Sequence, residues 1–274
     1  MKIRKAIEKA KQARGEEKSP NQVYMERAAR QGEWIPPVYT ESRAADVDPE
    51  VMRRKRCVAL SPDSPYLDAF KVLRTRINNL LVPDRRNNAL MVTSAVPGEG
   101  KTMTAINLAL AYAKEFDQTV LLVDCDFHRQ DVHRYLGIES DKGLVDYLIH
   151  EVPLKELIIW PKIEKMTFIS GGETIQETTE LLGSSRMRSL VEEIKARYPD
   201  RFVIFDVPPV LAGADAIAFA TIVDNIVMVV HNGKTPIDDV KAAVELLPKD
   251  KLLGFVLNRD TDTPEGYGYG YGYP

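Results

Sequence analysis

The chain is decided between Leu90 and Lys114, where Leu90-Met91-Val92-Thr93 leads into Ala95-Val96-Pro97-Gly98-Glu99-Gly100-Lys101-Thr102 and then into the helical pattern Met103 to Lys114. A short apolar run, a glycine-rich turn and a helix in that order predict a phosphate loop. Each residue type has a task there. Glycines let backbone N–H groups turn inward around phosphate oxygens, and the helix N-terminus adds a favourable dipole. Lys101 can reach the β and γ phosphates, and the Thr102 hydroxyl suits Mg²⁺. Val96 to Met103 are therefore the candidate nucleotide-binding segment, with ATP and Mg²⁺ as the expected ligands. Ala95 stands where the loop pattern has its first glycine.

Outward from the loop, strands and helices alternate. Apolar residues from Ser64 to Leu81 recur at helical spacing. Val120–Val123, Met166–Ile169, Phe202–Phe205, Ile226–Val230 and Leu253–Leu257 read as strands. Ser184–Tyr198, Ala214–Thr221 and Ile237–Leu247 read as helices. The strands are continuous apolar runs, which indicates a mostly parallel sheet sandwiched by crossover helices: an α/β fold of P-loop NTPase type. Two strands end in acid, Val123-Asp124-Cys125-Asp126 and Phe205-Asp206-Val207-Pro208-Pro209. Ligands of open α/β sheets bind outside the carboxyl ends of the strands, so both clusters are expected beside the loop. One carboxylate is needed for Mg²⁺ and a second could take a proton from an attacking hydroxyl.

The chain has 274 residues, 44% hydrophobic and 28% charged, an ordinary globular composition. No apolar run approaches the ~18–20 residues needed to span a bilayer. No leader-like segment joins basic residues to an apolar stretch. Cys57 and Cys125 cannot make a disulfide framework and read as structural thiols in a reducing cytosol. Charge divides the chain: residues 1–56 carry a net +5 and the remainder −8. Residues 1–56 are expected to be a basic, flexible arm and linker, with attraction to an anionic surface as its functional reading and a solvated arm as the plainer one. The acidic body argues against nucleic acid as a partner.

The C-terminus carries Tyr267, Tyr269, Tyr271 and Tyr273, each preceded by glycine. Alternating glycine prevents a stable helix and weakens a strand. The reading is a flexible tail, 260–274, whose phenols reach a neighbouring subunit's site: 15 residues extended span roughly 50 Å. Beside an ATP site, phenols on a tether suggest phosphate acceptors, each gaining nearly two negative charges on modification.

Together these features resemble the bacterial tyrosine autokinases of capsule and exopolysaccharide biosynthesis, P-loop NTPases of the deviant-Walker superfamily. The resemblance covers about residues 57–274. It rests on Ala95–Thr102, on Leu121-Leu122-Val123-Asp124-Cys125-Asp126, on Phe205–Pro209 and on the tail tyrosines, with Gly143–Leu148 and Glu180–Met187 as further similar segments. It implies a kinase domain over 57–259. It implies Lys101, Asp124 and Asp126 as catalytic residues, with Asp124 the candidate base and Asp126 the metal-side carboxylate; the two are coupled and can exchange roles. It implies Asp206 and Thr102 at Mg²⁺, Asn258 at the adenine, and transfer between subunits to Tyr267, Tyr269, Tyr271 and Tyr273. The implied partners are other copies in a ring, an octamer in the family, a membrane chain-length regulator (a polysaccharide co-polymerase) as activator, and a cognate tyrosine phosphatase. The implied location is cytoplasmic, held at the inner face of the membrane through that activator.

Three positions depart from the family pattern. His128 stands where an arginine is usual, with Arg129 beside it. The ring-contact helix carries Asp68, Lys71 and Arg74 in place of Glu, Arg and Arg, which keeps the charges but loses one bidentate guanidinium. Ala95 is the third. Two other readings of the same fold are a partitioning or cell-division ATPase switch without kinase activity, and a nucleotide-binding adaptor. The first expects a second lysine near the start of the loop, where Val96 stands, and leaves the tyrosines unexplained.

Overall fold

A computed structural model describes residues 42–260 apart from 58, 60–63, 65, 82–86, 116–117 and 198–199. The chain divides after Val38, and everything described belongs to the second unit, 39–274. The Tyr/Gly tail and residues 1–41 of the expected arm lie outside the described residues.

The elements in chain order are β1 (Arg43–Ala44), α1 (Pro49–Arg54), α2 (Leu67–Leu80), β2 (Ala89–Ser94), α3 (Lys101–Tyr112), β3 (Thr119–Asp124), α4 (Val132–Leu136), α5 (Leu144–His150), α6 (Leu154–Leu157), β4 (Ile159–Trp160), β5 (Met166–Ile169), α7 (Thr178–Leu182), α8 (Ser185–Arg197), β6 (Arg201–Asp206), α9 (Asp215–Ala220), β7 (Asn225–His231), α10 (Ile237–Glu245) and β8 (Leu252–Asn258). The strands form one sheet in the order β1-β4-β5-β3-β6-β2-β7-β8. All pairs are parallel except β4 with β5. The expected mostly parallel α/β sheet is present.

The apolar runs explain the layers. Every residue of β2, β3, β5 and β6 is buried, as a sheet covered on both faces requires. One core lies on the side of α8, α9 and α10, among Phe205, Met228, Phe219 and Leu190. The other lies under α3, among Leu90, Ile204, Leu122 and Leu108. Helix α3 is apolar on nearly all sides because it is buried on nearly all sides, between the sheet and α2. Tyr112 stacks on Phe202 with ring centroids 4.2 Å apart and donates to Asn78 Oδ1 at 2.7 Å, which ties α2 to that layer.

The domain begins earlier than the charge pattern suggests. Residues 43–57, mostly grouped with the basic arm, pack onto it. Arg43 and Ala44 pair with Ile159 and Trp160. The Asp48 carboxylate caps α1 by accepting from the N–H groups of Glu50 and Val51. Met52 and Cys57 are buried. Four exposed basic residues, Arg53 to Arg56, dominate the composition of this stretch and conceal its few core residues.

Asn107 on α3 fastens this segment. Its side chain accepts from Ala59 N at 2.9 Å and donates to the Arg56 carbonyl at 2.8 Å. Asn107→Ala strips both groups of their partner and should cost about 1–3 kcal/mol in chemical denaturation. Burial pushes the Cys57 thiol up to about 12, and burial holds Cys125 well above the usual thiol range. A colorimetric thiol reagent at mildly alkaline pH should therefore find neither cysteine in the native protein and both after denaturation.

Candidate active site

Strand register brings the acids together. Asp124 at the end of β3 lies directly opposite Asp206 at the end of β6, and Asp206 is also in register with Val92 of β2, which feeds the loop. Two hydrogen bonds tie the Pro208-Pro209 segment to the loop: Thr93 Oγ1 donates to the Pro208 carbonyl at 2.6 Å, and Leu211 N donates to the Ala95 carbonyl at 3.0 Å.

The Lys101 ammonium sits among these acids, 2.7 Å from Asp126 Oδ2 and 3.0 Å from Asp206 Oδ1. Thr102 Oγ1 donates to Asp206 Oδ2 at 2.6 Å. Asp124 is fully buried and accepts from the N–H groups of Asp126 and Val132, both at 3.1 Å. Lys101, Thr102, Asp124, Asp126 and Asp206, picked from sequence as catalytic or metal-side residues, thus form one buried cluster. Burial, and next the Asp206 charge, hold the Asp124 carboxyl well above the usual carboxylate range. Burial raises Asp206 too, against the pull of Lys101 and the Thr102 hydroxyl. For Lys101 burial disfavours the charge, but the Asp206 and Asp126 carboxylates outweigh it and raise the ammonium above the ordinary lysine range.

The donor set fits Mg²⁺. It consists of hard oxygens only, one hydroxyl and two carboxyl groups, with Asp124 as a third carboxyl opposite Asp206. Among the described residues no group of three or more His, Cys, Asp or Glu side chains forms a metal cage. Mg²⁺ needs none, since one or two carboxylates and the substrate's phosphates hold it.

The loop is braced by residues that its motif does not specify. Glu99 is buried, and its carboxylate accepts from Val96 N at 2.7 Å, from His231 N at 3.1 Å and from the Thr235 hydroxyl. Through its side chain Glu99 ties the loop to the end of β7. Asn258 donates to the Glu99 carbonyl at 2.7 Å. It also packs so close over Gly100 that a Cβ there would lie 2.2 Å from its Nδ2, and Gly100 has φ +97°. Pro97 and Gly98 are the exposed tip, and Met103 turns its sulfur toward Asn107.

From sequence His128 has no role beyond its departure from the family pattern, and no motif marks Asp215. The structure joins them: His128 Nε2 lies 3.1 Å from Asp215 Oδ2, and Asp215 also accepts from the hydroxyls of Thr178 and Thr179. The turn after Asp126 is thereby fixed to α7 and α9. The signal available was Thr178-Thr179 at a helix start, and only the fold shows what those hydroxyls meet. On α2, Asp68 and Lys71 are exposed and pair with each other at 2.9 Å. Arg74 is turned inward, its side chain 16% exposed, donating to the Ala111 carbonyl at 2.7 Å and pairing with Glu115.

A family profile described as an AAA domain matches residues 89–247. Tyrosine-protein kinase YwqD of Bacillus subtilis is 34% identical over 209 residues, which is 76% of this chain and 86% of that protein. The chain belongs to the bacterial tyrosine-protein kinase family. Kinase Etk of Escherichia coli K12 is 31% identical over 211 residues, 75% of this chain, and the chain spans 28% of Etk's length. The solved kinase domain of Escherichia coli Etk superposes with a TM-score of 0.70 at 27% identity, over 88% of this chain and 97% of that domain. The chimerical protein CapA2B2 gives 0.69 at 29%, over 85% and 97%. The septum site-determining protein MinD of Pyrococcus horikoshii, solved with Mg-ADP, gives 0.52 at 22%, over 64% of this chain and 71% of that one, a likeness of fold alone.

In this kinase-family chain the Glu99 brace should matter as much as the motif residues. Glu99→Ala leaves two backbone N–H groups without their charged acceptor. It should cost about 1.5–3 kcal/mol of stability. It should also weaken ATP binding by calorimetry about tenfold or more. Glu99→Gln keeps one acceptor oxygen and should fall between.

Proposed function

We propose that this chain is an ATP-dependent protein-tyrosine kinase that phosphorylates its own tyrosines Tyr267, Tyr269, Tyr271 and Tyr273 between subunits, in the control of capsule or exopolysaccharide assembly. The observation that supports it most is the buried cluster in which the loop lysine, Lys101, bridges Asp126 and Asp206 beside Thr102, in a chain of this family.

Each side chain has a part in the transfer. The backbone of Val96 to Thr102 and the N-terminus of α3 receive the phosphates. Lys101 exchanges its carboxylate partners for phosphate oxygens, and in the resting cluster the Asp206 and Asp126 carboxylates favour its charged form. Thr102, Asp206 and Asp126 would hold Mg²⁺, which would supply positive charge to the phosphate oxygens. The acceptor phenol oxygen attacks the γ phosphorus, the bond to the ADP oxygen breaks, and the phenolic proton passes to a carboxylate. Asp124 suits that last role, because a carboxyl held above its ordinary range is the better proton acceptor near neutral pH.

Assembly follows the same reading. Asp68 and Lys71 on the exposed side of α2 contact the next subunit in a ring, while Arg74 supports that helix from behind. A membrane chain-length regulator activates the kinase and holds it at the membrane, and a tyrosine phosphatase resets the tail. Asn258 fixes the loop and meets the adenine from the same strand end.

With Mg·ATP, mass spectrometry should find phosphotyrosine confined to the tail. Lys101→Met or Thr102→Ala should lower its rate about a hundredfold or more, as loss of a group that stabilises transferring phosphoryl charge does. The fourfold Tyr→Phe tail variant should carry none. Lys101→Met also strips three buried carboxylates of their counter-ion, so its melting temperature is read alongside; Thr102→Ala leaves that pairing intact. Undiminished phosphotyrosine in Lys101→Met and in the tail variant overturns the proposal.

A further inference from the structure

A groove of about 800 Å³ runs between α10 and β8, and no residue of the acidic cluster lines it. Its apolar surface comes from Val230, Val240 and Val244 with Ile237, Phe255 and Leu257. Three of these are large and open to solvent: Phe255 is 50% exposed, Leu257 63% and Ile237 65%. Register explains why. Phe255 is paired with Met228 and Leu257 with Val230, so both face the α10 side. Helix α10 covers β7 there and leaves the matching face of β8 uncovered. Among the described strands β8 is also an edge of the sheet, with one side free of ladder partners. A flat edge with exposed apolar side chains is a template for a further strand.

We propose that this groove is the resting place of the chain's own C-terminal strip, Tyr267–Tyr273, added as an antiparallel strand to the free edge of β8. The occupant follows from where the chain goes next. Beyond Asp260, two residues past β8, the sequence continues for 14 residues. Thr261–Gly266, with Pro264 and Gly266, supply a reversing loop. Tyr267–Tyr273 then matches the seven residues of β8 in length. Its tyrosines recur with period two, the period of a strand, so an extended strip presents all four rings on one face and only glycine on the other. The register that sets Tyr267 opposite Leu257 sets Tyr269 opposite Phe255, and places those rings over the uncovered face.

The regulatory consequence rests on the tyrosine-kinase reading, whereas the docking does not. A docked strip withholds its phenols from other subunits. Phosphorylation adds about −1.5 to −2 charge to each ring, which the apolar groove disfavours. The rim adds little to offset it, because Lys241 is already paired with Asp238 at 3.2 Å and the remaining rim charges are one lysine, Lys249, and one carboxylate, Glu245. Modification of one tyrosine therefore frees the rest, and transfer becomes self-accelerating within a tail.

The test uses phosphatase-treated full-length protein without nucleotide. Hydrogen exchange followed by mass spectrometry should show the amides of residues 252–258 exchanging about tenfold more slowly than in a chain ending at Thr263. Phe255→Asp with Leu257→Asp, both at exposed positions, should speed chymotryptic cleavage within Tyr267–Tyr273 about tenfold, and phosphorylation of the tail should abolish the slowing of exchange at residues 252–258. Equal exchange with and without the tail overturns the proposal. So does protection that survives truncation and rises with protein concentration, which would assign the groove to a second copy. Protection by the tail in a protein that never forms phosphotyrosine leaves the docking standing and refutes the kinase reading alone.

Discussion

One ammonium held among three buried carboxylates is the constraint on which the rest of the structure depends. Taking such charges out of water costs several kcal/mol per ion, and their attraction offsets this only with good geometry and further hydrogen bonds. Here the geometry comes from the sheet. Parallel register sets Asp124 against Asp206, and the loop after β2 brings Lys101 and Thr102 onto the same spot. A fold seeking stability alone would fill that position with apolar side chains. The excess acid makes sense as a place kept for a cation and a polyphosphate, where Lys101 can change partners without leaving the cluster.

Around this cluster lies a layer of bracing. Glu99 and Asn258 hold the loop from behind, and Asp215 with Thr178, Thr179 and His128 holds the turn that carries Asp126. A loop whose N–H groups must face an anion has few to spare for its own stability, and the Val96 N–H goes to Glu99. Its rigidity is supplied by the ends of β7 and β8, so residues far apart in sequence share the work of shaping one binding surface.

The sheet and the cluster were legible because their signals are local. Continuous apolar runs ending in acid, such as Phe202–Asp206, mark a buried parallel strand and the side on which ligands bind, and a glycine-rich turn marks the phosphate loop. The bracing was not legible, since the partners of Glu99 at His231 and Thr235 are more than 130 residues away. Charge counting misplaced the start of the domain for a related reason: a two-residue strand and one buried methionine weigh little against four consecutive basic side chains. Asp68, Lys71 and Arg74 share a helix and a spacing, yet the first two are exposed and Arg74 is turned mostly inward, where it finds Glu115 and the end of α3.

The central claim is that the acidic strand ends and the loop form a single receptacle for Mg·ATP. A crystal structure with Mg²⁺ and a non-hydrolysable ATP analogue tests it most directly. The account predicts the β and γ phosphates within the loop of residues 96–102, Lys101 Nζ drawn onto them, and the metal bound by Thr102 with an Asp206 or Asp126 oxygen in its shell. A nucleotide seated elsewhere, with Lys101 still locked between Asp126 and Asp206, would contradict it.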